Sequence, residues 1–148
     1  MNLTVQAFLL CDSIDNSSNR ATMLAMYDKL LAGRFPTARK CSVFCRLYVK
    51  EPRKYLIALQ METPNASLVQ LLAPRMFRAK PNGILQVTCN IEKLRLTHEG
   101  IYNLKLLVDG EPVSEFHLTV QYKNSGGTTR IADRNFGFTV ARPPAKPG

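Results

Sequence analysis

The chain has 148 residues, a length that fits one domain with a short tail, and 45% of them are hydrophobic while 21% are charged. That balance excludes a wholly disordered chain, and no apolar run reaches the ~18 residues a membrane-spanning helix requires. Twenty Lys+Arg against eleven Asp+Glu give a formal net charge of +9, which points toward acidic partners, either protein or nucleic acid.

In chain order, the first predicted element is a strand. Leu3, Val5, Ala7, Leu9 and Cys11 share one face by strict alternation, with Thr4, Gln6, Phe8 and Leu10 on the other. No Lys or Arg precedes this stretch, so it does not read as a secretion signal, and a cytoplasmic protein is expected. Asp12 to Asn19 is a polar loop of turn-forming residues. Arg20 to Leu31 stays open between two readings. Its strong helix formers and the Gly33 that follows fit a capped helix, whereas alternation of Thr22, Leu24 and Met26 with Met23, Ala25 and Tyr27 fits a strand. Phe35-Pro36 ends any helix.

The middle of the chain is plainer. Cys41, Val43, Cys45, Leu47 and Val49 alternate with Ser42, Phe44, Arg46 and Tyr48. A turn at Glu51-Pro52-Arg53-Lys54 leads into Tyr55, Ile57, Leu59 and Met61. Pro64-Asn65 turns the chain into a strand near Ser67–Leu72, which Pro74 is expected to end. The segment Leu71–Lys80, LLAPRMFRAK, mixes apolar and basic residues, and it either closes the end of the core or forms an exposed partner-binding edge. Pro81-Asn82-Gly83 leads into Leu85, Val87, Cys89 and Ile91, and Glu99-Gly100 into Tyr102, Leu104, Leu106 and Val108. Asp109-Gly110 is the strongest hairpin signal, followed by Phe116, Leu118, Val120 and Tyr122. Seven to eight short strands with a turn signal at each break predict an all-β fold, an antiparallel two-sheet sandwich of immunoglobulin-like type. A helix in place of the second strand would make it α+β. The sandwich is assigned to residues 1–122. Residues 123–148 form a Pro/Gly-rich basic tail, in which Phe136, Phe138 and Val140 still alternate as a docking strand would.

Three stretches together resemble a known family: AFLLCDSI (Ala7–Ile14), MLAMYDKLLAGRFP (Met23–Pro36) and VFCRLYV (Val43–Val49). Later, Gly100, Tyr102, Leu104, Leu106 and Asp109-Gly110 continue the pattern. This order of elements is similar to that of a family of small bacterial proteins of unknown function, over about Val5 to Val120. Where that family commonly has Gly-Ile before Tyr-Asp, this chain has Ala25-Met26. The resemblance implies a compact antiparallel β-sandwich and an extended conformation for Arg20–Leu31. It implies no activity and transfers no catalytic residue.

Candidates for chemistry are sparse. Cys11, Cys41, Cys45 and Cys89 form no C-x-x-C pair and lack a second ligand pair, so they are expected as buried free thiols, with no metal and no cofactor. His98 lies in a turn and His117 on the polar face of its strand, neither placed as a catalytic base. Asp12 and Asp28 end apolar segments, where carboxylates accept backbone N–H bonds. No catalytic residue, small-molecule substrate or membrane association is expected.

The charge distribution carries more. From Arg34 to Lys80 there are ten basic residues, Arg34, Arg39, Lys40, Arg46, Lys50, Arg53, Lys54, Arg75, Arg78 and Lys80, against Glu51 and Glu62 alone. With Tyr48, which shares a strand face with Arg46 and Lys50, they are the candidate binding residues. Arg130, Arg134, Phe136, Phe138 and Arg142 are the candidate docking residues of the tail. The expected function is a non-catalytic interaction module, an accessory or structural subunit that docks on a larger assembly, with a protein partner or a second copy of itself. The alternative is a nucleic-acid-binding protein that uses the Arg34–Lys80 surface, where basic residues contact phosphates and Tyr48 stacks on bases.

Overall fold

A computed structural model describes residues 2–15 and 22–123. Nine strands are present among them and no helix: β1 (Leu3–Asp15), β2 (Thr22–Met26), β3 (Lys29–Ala32), β4 (Thr37–Val49), β5 (Lys54–Glu62), β6 (Leu68–Arg78), β7 (Ile84–Leu96), β8 (Gly100–Val108) and β9 (Glu111–Tyr122). They form a four-stranded sheet of order β2-β1-β4-β7 and a five-stranded sheet of order β3-β9-β8-β5-β6. The strand reading of Arg20–Leu31 therefore holds where the chain is described, as β2 and β3. Their division into two short strands in different sheets brings the count to nine.

The chain leaves β4 for the second sheet, makes the β5–β6 hairpin, returns as β7 and crosses again into the β8–β9 hairpin. This Greek-key path across two layers is the immunoglobulin-like arrangement. A second hallmark of that class sits at the start of β8. The Tyr102 hydroxyl donates to the His98 carbonyl at 2.7 Å and accepts from the Thr97 and His98 amides at 3.1 Å each. Such a tyrosine corner ties the crossing loop back onto the strand that follows it.

Period-two alternation builds the core. Cys41, Val43, Cys45, Leu47 and Val49 of β4, with Leu85, Val87, Cys89 and Ile91 of β7, supply the buried face of one sheet. Tyr55, Ile57, Leu59 and Met61 of β5, with Tyr102, Leu104, Leu106 and Val108 of β8, supply that of the other. Each such aliphatic side chain removed from water contributes about 1.5–3 kcal/mol. Between the layers, Phe8 meets Phe116 edge to face, with ring centroids 6.2 Å apart.

Two expectations are corrected. The first concerns β1, whose apolar face does not follow simple alternation. Val5 pairs with Leu47 but Ala7 pairs with Arg46, so Gln6 is an extra residue in a β-bulge. A one-residue insertion flips every later side chain to the opposite face. Leu3 and Val5 thus share their face with Phe8 and Leu10, which lie opposite Cys45 and Val43, and not with Ala7, Leu9 and Cys11. The second concerns Pro74, which does not end its strand. Register passes from Ile57↔Arg75 to Leu59↔Leu72, three steps on β6 against two on β5, and Pro74 falls in this irregular stretch of an edge strand. A proline at a bulge on an edge removes no ladder hydrogen bond, so pairing continues past it.

By compactness the described residues divide into a main unit, residues 2–15, 22–30 and 36–120, and a second unit, residues 31–35 and 121–123. Within the second unit the Lys123 amide donates to the Ala32 carbonyl at 2.6 Å, and the Phe35 and Tyr122 rings lie 6.4 Å apart.

Candidate interaction surface

The basic residues singled out from the sequence do not form one continuous surface, because β4 belongs to one sheet and β5 and β6 to the other. On β4, Arg39 is bound in place. Its guanidinium lies 3.3 Å from the Asp12 carboxylate and 5.2 Å above the Tyr27 ring. Burial pushes the Tyr27 hydroxyl up to about 12. Arg46 donates to Gln6 Oε1 at 3.0 Å and to Gln86 Oε1 at 3.2 Å, so neutral amides on both neighbouring strands hold it. Phe44, two residues before it on β4, is buried. Tyr48 is 42% exposed. One side of its ring closes on the Pro81-Asn82-Gly83 turn, where a Cβ on Gly83 would fall 2.7 Å from the ring and 2.6 Å from the Val49 carbonyl. With φ at +86°, that position needs glycine twice over. Lys40 is exposed at the start of β4, and Arg34 is exposed in the second unit.

Arg53 is a staple rather than a free cation. It stacks 3.9 Å over the Tyr55 ring and reaches Glu51 at 3.3 Å and Asp109 at 3.0 Å. The Leu56 amide donates to the other Asp109 oxygen at 3.0 Å. That amide, then Arg53, holds the Asp109 carboxyl below its ordinary range. The β4–β5 turn and the Asp109-Gly110 hairpin are tied together through this contact.

The remaining cations gather where β5 and β6 pair. Lys54 lies directly opposite Arg78, and Leu56 directly opposite Met76. All four side chains are exposed, Leu56 at 36% and Met76 at 55%. Lys50 and Lys80 are exposed at the same end of these strands, and neither they nor Lys54 and Arg78 form an ion pair among the described residues. Arg75 folds over the Phe77 ring at 5.2 Å on the opposite face of β6. Like charges directly opposed on a sheet cost stability, about 0.2–1 kcal/mol, and an exposed aliphatic pair beside them gains none. A cationic–apolar patch of two cross-strand pairs results. Sequence reading found the basic residues and the mixed character of Leu71–Lys80. It missed Leu56, whose membership depends on β5–β6 register.

Groups with reactive chemistry are withdrawn from solvent. All four cysteines are free and buried. Cys89 pairs with Val43, between Cys41 and Cys45 on the neighbouring strand. Burial pushes Cys41 up to about 11 and Cys45 up to about 12, so these thiols stay protonated. Among the described residues, no group of three or more His, Cys, Asp or Glu side chains converges in a way that would hold a metal ion. His98 Nδ1 lies 2.9 Å from its neighbour Thr97 Oγ1, and His117 lies 3.5 Å from Glu115, both exposed. No helix among the described residues is long and apolar enough to cross a membrane. Arg130, Arg134, Phe136, Phe138 and Arg142 lie outside the described residues.

Fold and surface together define an immunoglobulin-like β-sandwich with a cationic, partly apolar sheet margin. The chain belongs to a family of unknown function, DUF6941, whose model matches residues 6–121. No curated protein matches it. Among solved structures it is similar to the Pseudomonas fluorescens alkylpurine DNA glycosylase AlkC bound to DNA containing an abasic site analog, at 9% identity and a TM-score of 0.47. That similarity covers 81% of this chain but 30% of the glycosylase chain. A likeness at this level carries no argument about function.

Proposed function

We propose that this protein is a non-catalytic interaction module of the bacterial cytoplasm, an accessory or structural subunit that docks on an acidic partner protein. The observation that carries the reading is the Lys54–Arg78 pair beside Leu56–Met76. Two cations held opposite each other and two exposed aliphatic side chains weaken the free sandwich. A partner supplying carboxylates and an apolar side chain relieves both costs. Arg130, Arg134, Phe136, Phe138 and Arg142, which lie outside the described residues, would add basic and aromatic side chains to the contact.

Reversing Lys54→Glu together with Arg78→Glu tests this. The tagged variant should lose the protein that co-purifies with the wild type under mild conditions, while its thermal unfolding is unchanged or slightly improved. Retention of the same partner by the double variant refutes the reading.

Nucleic-acid binding is the second reading, favoured by the exposed ring of Tyr48 beside Arg46. Against it, Arg46 already spends donors on Gln6 and Gln86, and Phe44 is buried. Binding of oligo(dT) whose affinity falls steeply with log salt, and which Tyr48→Ala abolishes, would favour this second reading over the first.

A further inference from the structure

We propose that the acidic partner engages as an added β-strand on the open edge of β6 at Met76–Arg78, an inference that rests on the interaction reading above. The argument comes from where backbone groups point. The Leu56 carbonyl accepts from the Asp109 amide at 2.8 Å, and the Leu56 amide donates to Asp109 Oδ1. Both polar groups of Leu56 are therefore turned toward the β8–β9 side, away from β6. Three residue pairs along, beyond Lys54/Arg78, the Ala79 amide donates to the Arg53 carbonyl at 3.2 Å. In an antiparallel ladder, hydrogen-bonded and non-hydrogen-bonded pairs alternate. The rung Arg53/Ala79 is bonded, so Lys54/Arg78 is not, Tyr55/Phe77 is, and Leu56/Met76 is not. The amides and carbonyls of Met76 and Arg78 consequently face outward, at the free margin of the five-stranded sheet. Among the described residues β6 pairs with β5 alone, so no strand lies on the side to which these groups point.

The two residues that offer these backbone groups are the ones whose side chains form the cationic–apolar patch. An extended segment laid along β6 would bond the backbone of Met76 and Arg78. Its own alternate side chains would then stand beside them on the exposed face, where a carboxylate meets Arg78 and Lys54 and an apolar side chain meets Met76 and Leu56. Pro74 and the register irregularity around it limit the accessible edge to the segment beyond them, a short site of about four residues. Charge also decides the occupant. A second copy paired edge to edge would bring Arg75 and Arg78 against themselves, whereas an acidic strand neutralises them.

The test uses full-length protein and three capped octapeptides in which Glu alternates with Val, Leu or Phe. Hydrogen exchange should show new protection at the Met76 and Arg78 amides when an octapeptide binds. Met76→Pro removes one outward donor without touching the β5 ladder, so the fold is retained and peptide affinity should fall about tenfold. Leu56→Ser, on the neighbouring strand, should weaken binding without altering the edge backbone. Octapeptide binding that Met76→Pro leaves intact overturns strand addition while preserving a cationic docking face. Absence of binding by all three octapeptides overturns strand addition, and the Lys54→Glu/Arg78→Glu co-purification then decides the interaction reading separately. Equal binding of the corresponding Lys-alternating peptides, or stronger binding to oligo(dT) or to phosphatidylserine-containing vesicles, removes the acidic polypeptide as occupant.

Discussion

Replacing Tyr102 with Phe deletes one oxygen atom and leaves the ring in a fully buried site, at 0% exposure. That oxygen serves three hydrogen bonds, to the His98 carbonyl at 2.7 Å and from the Thr97 and His98 amides at 3.1 Å. Three bonds at about 0.5–1.5 kcal/mol each would sum to roughly 1.5–4.5 kcal/mol. Thr97 and His98 are exposed, so water takes over part of their demand and the expected loss is about 2 kcal/mol. Tyr55→Phe provides the calibration within the same protein. Its buried hydroxyl makes one bond, to the Glu51 carbonyl at 2.7 Å, and its removal should cost about 1 kcal/mol. Urea unfolding followed by far-UV circular dichroism measures both. The midpoint should shift and the slope should not, since neither change alters the surface exposed on unfolding. A Tyr102→Phe loss no larger than that of Tyr55→Phe would refute the corner as a strut of the β7–β8 crossing.

Two further outcomes follow from the structure. Gly110→Ala, at φ +83° with nothing within 4 Å of the new methyl, should cost backbone strain alone, about 1–2 kcal/mol. Gly83→Ala adds a collision with the Val49 carbonyl and the Tyr48 ring and should cost about 1–3 kcal/mol more; equal losses in urea titrations would show that Tyr48 does not pack on this turn. The thiols set an alkaline limit. Cys41 and Cys45 ionise at about 11 and 12 when folded, against 9.0 as the reference, so their contribution is whole below pH 9 and declines as the unfolded chain gives up protons above it. Urea midpoints should therefore be lower at pH 10.5 than at pH 8, and a thiol-reactive disulfide reagent at pH 8 should label the four cysteines only on unfolding. Rapid labelling of native protein would contradict their burial.

Much of this molecule was legible in the residues alone. Alternation in Cys41–Val49, Tyr55–Met61, Leu85–Ile91 and Tyr102–Val108 determined strands with one dry face, because a period of two is a local property of extended chain. Asp109-Gly110 and Pro81-Asn82-Gly83 determined turns through backbone conformations that few residues adopt; φ is +52° at Asp109, +83° at Gly110 and +86° at Gly83. The burial of Cys41, Cys45 and Cys89 followed from the same alternation; that of Cys11 did not, because the bulge puts it on the other face of β1 from Leu3 and Val5. What the chain could not announce is whatever depends on which strand lies beside which. The Gln6 bulge reverses the faces of β1 because β4 pairs on both sides of it, and nothing in Val5-Gln6-Ala7 marks the insertion. Arg39, Arg46 and Arg53 look alike in sequence to Lys54 and Arg78. Only tertiary pairing with Asp12, with two glutamines and with Asp109 turns the first three into structural ties. The open margin at Met76 and Arg78 is likewise a product of sheet order and ladder phase, which hydrogen bonds between distant segments decide and local propensity does not.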